Sequence, residues 1–146
     1  MFDLRRYLPY LINRAGVRLA VGFAREIRHH GVALQEWRVL AALAAGGAQR
    51  LSDLAGLTSI DLSTLSRLVS RMARNGLVRR SRADGDKRER RVAATAKGKR
   101  ITRAIIPTAQ RYEHVALAGL SAQEARTLKR LLVRVYANLD GLAGGP

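Results

Sequence analysis

Apolar residues recur at helical spacing over both ends of the chain and through its middle. Leu8, Leu11, Ile12, Ala15, Leu19, Gly22, Phe23 and Ile27 predict a long first helix over 8–30. Pro9 stands near its start, where proline is tolerated, and Gly31 ends it. Trp37, Leu40, Ala41 and Leu43 predict a second helix over 35–45, stopped by Gly46-Gly47. Trp37 is the only tryptophan, a side chain that more often packs than binds. Two short helices come next. Leu51, Leu54, Ala55 and Leu57 are the apolar members of the first, with Ser52 as its cap and Asp53 in its first turn. After Thr58-Ser59-Ile60 the second runs from about Asp61 to Asn75, with Leu62, Leu65, Leu68, Val69 and Met72 on one stripe facing the core.

The period then changes. Residues 77–82 and 90–95 read as two short strands around the turn chemistry of Ala83-Asp84-Gly85-Asp86-Lys87, with the hairpin tip at Asp86–Arg90. From Ala96 a helix runs to about Leu117, and Pro107 inside it predicts a kink. Ser121 and Glu124 form a capping box for a last helix. Its apolar stripe is Ala125, Leu128, Leu131, Leu132, Val135, Tyr136 and Leu139. The order helix, turn, helix, basic hairpin is that of a winged helix-turn-helix. The fold class expected is therefore mainly α with a small β-hairpin wing (α+β). Three regions follow: residues 1–30 as an N-terminal dimerisation helix, 31–98 as the DNA-binding lobe, and 99–146 as C-terminal dimerisation helices. The end helices are strongly amphipathic and exceed what a winged helix of about fifty residues needs. They make sense if they interleave with a second copy, placing two reading helices about one DNA turn apart.

Charge sharpens this picture. The 146 residues carry a formal net charge of +16, which points to a polyanionic partner, nucleic acid before membrane. From Arg67 to Arg103 there are 14 Lys/Arg against three acids, Asp84, Asp86 and Glu89, so the excess is concentrated in and beside the helix-turn-helix pattern. There are no cysteines, which removes disulfides and thiolate metal sites. No apolar run approaches a membrane span, and the N-terminus lacks the uninterrupted apolar core of a signal peptide, so a cytoplasmic location is expected.

The face opposite the stripe of the second short helix carries Ser63, Thr64, Ser66, Arg67, Ser70, Arg71 and Arg74. Short hydroxyls let a backbone approach DNA, and guanidinium groups bond guanine edges or phosphates. The competing reading is an ordinary solvated face. An arginine at the hairpin tip suits a narrow minor groove. Catalysis finds no support: the three acids sit among cations, His29, His30 and His114 lack zinc spacing, and no nucleophile or phosphate-cradling motif is present. No metal, cofactor or catalytic residue is expected. A sequence-neutral architectural DNA-binding protein is the alternative that would explain the charge equally well.

Asp86-Lys87-Arg88, with Val92, Thr95 and Gly98 six, nine and twelve residues after Asp86, resembles the D-x-R…V-x-L-T-x-x-G wing pattern of the MarR family of bacterial transcriptional regulators. Ala94 departs from it, standing where the family usually has leucine. Ser59-Ile60-Asp61-Leu62 and Leu65-Ser66-Arg67-Leu68 are similar to the start of the family's recognition helix. The resemblance implies a homodimer on double-stranded DNA at a pseudopalindromic operator, usually as a repressor. It implies base and phosphate contacts from Ser63, Thr64, Ser66, Arg67, Ser70 and Arg71, and wing contacts from Asp86, Lys87, Arg88 and Arg90, with Arg88 in the minor groove. Members are often released by small anionic, commonly aromatic, effectors bound between the dimer helices and the lobe. Arg14, Arg18, His30, Trp37, Arg38, Arg111 and His114, with His29, stand on segments that could border such a cleft, and arginine grips carboxylates well. An anionic aromatic acid or its coenzyme A thioester is the effector expected.

Overall fold

A computed structural model describes residues 1–83 and 86–142, and the side chains of these apart from 82–89. It contains α1 (Leu8–Ile27), α2 (Leu34–Gly46), β1 (Gln49–Arg50), α3 (Leu51–Thr58), α4 (Leu62–Arg74), β2 (Val78–Ala83), β3 (Asp86–Ala94), α5 (Ala96–Ala116) and α6 (Ala122–Leu139). Two compact units result, residues 1–110 and residues 111–146.

In the first unit, α1 ends in a single 3-10 turn closed by Gly31. Gly31 has φ +75 and its N–H donates to the Arg28 carbonyl at 3.0 Å, a left-handed geometry that costs a residue with a Cβ. The core is built where the stripes meet. Ile27 of α1, Val39 and Leu40 of α2, Leu54 of α3, Leu65, Val69 and Met72 of α4, and Ile105 of α5 are all fully buried. Phe23 packs its ring against Trp37 at 5.6 Å between centroids, so the lone tryptophan joins α1 to α2. The sheet has the order β1-β3-β2 and is antiparallel throughout. β3 lies in the centre, with Val92 opposite both Gln49 and Arg80.

In the second unit, Ser121 caps α6: its hydroxyl accepts from Glu124 N–H at 3.1 Å, and the Glu124 carboxylate accepts from Ser121 N–H at 2.7 Å. The bond from Ser121 N–H first, and then one with the Ser121 side chain, hold the Glu124 carboxyl below its ordinary pKa. Lys129 and Glu113 form an ion pair. No residue of α6 is buried.

Four sequence expectations are corrected. Ser52 does not cap α3: the helix begins at Leu51, with Arg50 at the cap position, because β1 delivers the chain in extended conformation directly to Leu51. Leu57 and Leu62 do not face the core, being 65% and 53% exposed. Each lies at an edge of its stripe, where a single turn of helix is enough to carry it to the surface, and Thr58 and Leu65 take the inward places. Asp86–Arg90 belongs to strand β3, so it is not the hairpin's tip. Asp86 already pairs with Ala83, and Arg90 with Arg82. Lys87, Arg88 and Glu89 are therefore extra residues on β3, a bulge of the kind that turns a strand locally.

Candidate nucleic-acid interface

Local chemistry fixes where α4 starts. Asp61 sits at its N-cap in extended conformation, and its Oδ1 accepts from Thr64 N–H at 2.9 Å and from the Ser63 hydroxyl at 2.8 Å. Bonding from Thr64, side chain before backbone, and then from Ser63 holds the Asp61 carboxyl down to about 2, with Arg67 adding its charge. The helix buries Leu65, Leu68, Val69 and Met72. Its outer face is left with Ser63, Arg67, Arg71 and Arg74 exposed and Thr64, Ser66 and Ser70 half-buried.

Two contacts that local sequence patterns do not reveal hold that face in place. Arg80 of β2 donates from Nη2 to the Ser66 carbonyl at 3.2 Å and to the Ser70 hydroxyl at 3.1 Å. The Ser70 hydroxyl in turn lies 3.0 Å from the same carbonyl. Strand and helix are thereby tied at the second turn of α4. On the other side, Glu36 is buried and accepts from Ala33 N–H at 2.8 Å, which closes the first turn of α2. Its other oxygen lies 3.7 Å from Arg71 Nε. Arg71 is half-exposed there, so the pair is worth at most about 1 kcal/mol but sets where the guanidinium starts from. The expected contacts thus separate into classes. Arg67 and Arg74 are exposed cations, Arg71 is shared with Glu36, Ser63 and Thr64 serve the cap, and Ser70 serves Arg80.

The wing is locked at its base. The Thr95 hydroxyl lies 2.5 Å from the Gly76 carbonyl and 3.1 Å from that of Leu77, and it accepts from Gly98 N–H at 3.1 Å. A Cβ on Gly98 would overlap the Leu77 carbonyl oxygen and press on Leu40. Thr95 and Gly98 are therefore spaced as they are because the start of α5 crosses directly over the turn that leaves α4. Val92 is buried beneath the wing. Arg91 adds a bond from Nη1 to the Ala48 carbonyl at 3.4 Å, and Lys97 donates to the Asn75 carbonyl at 3.0 Å. The side chains of Asp86, Lys87 and Arg88 lie outside the described residues, and Arg90 is exposed.

The residues expected around an effector divide among several places. Arg14 and Arg18 border a shallow groove along α1 with Asn13 and Val17, and Arg14 stacks over the Tyr10 ring at 5.3 Å. Trp37 and Arg38 border a different groove, against Leu57 and Ser59. His29 and His30 stack on each other, with ring centroids 4.0 Å apart, in the turn after α1. Arg111 and His114 belong to the second unit. Among the described residues, no group of three or more His, Cys, Asp or Glu is placed to hold a metal ion. No helix there is long and apolar enough to cross a membrane.

A three-stranded wing tied to an amphipathic helix with a cationic outer face defines a winged helix-turn-helix, the class of DNA-reading transcriptional regulators. Within that class the chain belongs to the MarR family. The family's sequence profile matches residues 32–89. A MarR-family regulator from Silicibacter pomeroyi DSS-3 superposes over 96% of this chain and 100% of its own, with a TM-score of 0.79 and 30% identity. Transcriptional regulator HosA of Escherichia coli is 37% identical over 70 residues, 48% of this chain. The chain spans about half (52%) of the length of that curated relative. The HTH-type transcriptional repressor IacR of Pseudomonas putida is 28% identical over 134 residues, 91% of this chain and 80% of its own.

Proposed function

We propose that the chain acts as a homodimeric repressor that binds a pseudopalindromic operator and is released by a small anionic effector, an aromatic acid or its coenzyme A thioester. The observation that carries the reading is α4: Leu65, Leu68, Val69 and Met72 are engaged in the core while Arg67, Arg71 and Arg74 stay outside, beside a strongly basic hairpin. Arg67 and Arg74 take phosphates or guanine edges. Arg71 exchanges Glu36 for DNA, and the bulged segment Lys87–Arg88 with Arg90 reaches the backbone and minor groove. The dimer reading, with residues 1–30 and 99–146 as its helices, is supported by where apolar surface remains. Of 22 exposed large apolar side chains among the described residues, all but Leu57, Leu62 and Ile106 fall within 1–21 or 115–142. Apolar side chains left exposed in such concentration mark association surfaces.

Anisotropy of labelled duplex from the region upstream of the gene tests this, with random-sequence competitor in excess at about 150 mM salt, where long-range charge attraction is screened. Tight binding that survives competitor at two protomers per site is the expected result. Equal affinity for random duplexes, including those drawn from a selected library, would replace the repressor with a sequence-neutral architectural protein.

A further inference from the structure

Of the acids whose side chains are described, Glu36 alone is buried. Its carboxylate is divided between two elements. Oε2 accepts from Ala33 N–H at 2.8 Å, at the start of α2, and Oε1 lies 3.7 Å from Arg71 Nε on α4. The Glu36 side chain is 8% exposed and that of Arg71 55%, so the acid is fixed in the lobe while the base stands in solvent. Asp61 also acts on an arginine of the same face, Arg67. Asp61 is exposed, however, and water takes the place of a partner that leaves it. Little water reaches Glu36. An arginine drawn away from a buried carboxylate leaves that charge uncompensated.

Releasing Arg71 therefore has a cost that is the same whichever DNA receives it, and that cost lowers the fraction of lobes ready to bind. Random sequence offers Arg71 a phosphate, which merely replaces the carboxylate, so Arg71 stays with Glu36. A guanine edge adds two bonds matched to the fork of the guanidinium. There Arg71 moves, and the cost is incurred in full. We propose that Glu36 restrains DNA binding by holding Arg71: it is a positioning residue that sets how tightly the reading helix takes its best sites. This role rests on the repressor reading and adds to it what limits the contact. A weaker hold on the operator also leaves less binding energy for any releasing signal to overcome.

Anisotropy with the full chain tests it, on a duplex selected by this protein from a random library and on random-sequence duplex, each across a salt series. Glu36→Gln keeps an acceptor for Ala33 N–H and removes the charge. It tightens binding to the selected duplex by at least about threefold per reading helix, the size of a modest ion pair, with the salt slope unchanged. On random duplex it gains less, and the slope steepens by about one per reading helix as Arg71 joins the phosphates. Asp53→Asn, the loss of an exposed acid in the first turn of α3, shifts both duplexes alike through general charge. In an Arg71→Gln background Glu36→Gln has no effect beyond that of Asp53→Asn. If Arg71→Gln, which strands the buried acid, lowers the thermal midpoint, the slope on random duplex carries the test. No gain over Asp53→Asn, an equal gain on the two duplexes with an unchanged slope, or a gain that survives Arg71→Gln overturns the proposal. A parent protein that prefers no selected duplex to random ones removes the repressor reading and this role with it. A parent that keeps the preference while Glu36→Gln binds no tighter removes this role alone.

Discussion

The lobe and the terminal helices are built from similar amphipathic sequence and end in opposite states. In α4 Leu65, Leu68, Val69 and Met72 of the apolar stripe disappear into the core. In α6 an amphipathic stripe leaves Leu128, Leu131, Leu132, Tyr136 and Leu139 on the surface. The lobe satisfies its apolar faces within one chain, because α2, α3, α4 and the sheet surround a common centre. Periodicity in a sequence reports that a face wants burial; it does not report whether the partner is another element of the chain or another molecule. On the function proposed above, the contrast separates two roles: the lobe holds the reading surface, and the open apolar helices supply the surface for pairing.

The sharpest way to test the lobe half of that contrast is a pair of truncations on one helix. Leu65→Ala removes a fully buried side chain of α4 and lowers stability by about 2–5 kcal/mol. Leu62→Ala, one turn earlier and half-exposed, changes it by less than about 0.5 kcal/mol. Denaturant unfolding measures both, and equal effects would mean that α4 is rotated about its axis from the orientation described. Next in size is Gly98→Ala. The added methyl meets the Leu77 carbonyl oxygen and Leu40, both in the packed base of the wing, and costs about 1–3 kcal/mol. A glycine chosen only for loop flexibility would tolerate alanine there.

Gly98 also shows how far the sequence could be read. Its spacing from Thr95 and Val92 was visible as a pattern, but the reason for it, α5 passing over Leu77, exists only in three dimensions. The same holds for Arg80 on Ser66 and Ser70, and for Glu36 beside Arg71: residues 10 or more apart along the chain meet, and no local rule reports such pairs. Helices and strands were legible because each is set by local periodicity and capping. The edges of the stripes, Leu57 and Leu62, were misplaced because a short helix gives too few repeats to fix its rotation. Ser52 was misplaced as a cap because a two-residue strand, too short for any alternation to show, delivers the chain straight into α3. The end of the hairpin was misplaced because a bulge adds residues to one strand without changing its composition. The expected effector residues share chemistry but stand on separate segments, and among residues 1–110 they border different grooves.

The terminal half of the contrast is tested by Leu132→Asp in α6. The position is exposed within one chain, so unfolding of the lobe moves by less than about 0.5 kcal/mol. A charge placed in an apolar pairing surface, by contrast, weakens self-association by at least about tenfold, the equivalent of 1.4 kcal/mol. Sedimentation velocity across a concentration series reads this directly. Unchanged self-association would assign the apolar face of α6 to some other partner and leave α1 to make the dimer.

The smallest effect concerns how the two regions start their helices, since both use a carboxylate whose pKa is lowered by the bonds it accepts. Asp61 begins α4 and is held down to about 2 from an ordinary 3.8; Glu124, in the first turn of α6, is held below its ordinary value. A carboxyl whose folded pKa is depressed contributes stability above its unfolded pKa and loses it as the pH falls toward the folded one. Asp61 therefore supports the lobe fully above about pH 4 and progressively less toward pH 2. Asparagine caps helices about as well as aspartate but does not titrate. Asp61→Asn thus leaves lobe stability near neutrality almost unchanged and flattens its acid dependence between those limits. Glu124→Gln alters only the acid response of α6. Circular dichroism melts stepped from pH 5 to pH 2 make the comparison, and an Asp61→Asn lobe that loses stability to acid as steeply as the parent would show that the cap contributes no measurable part of it.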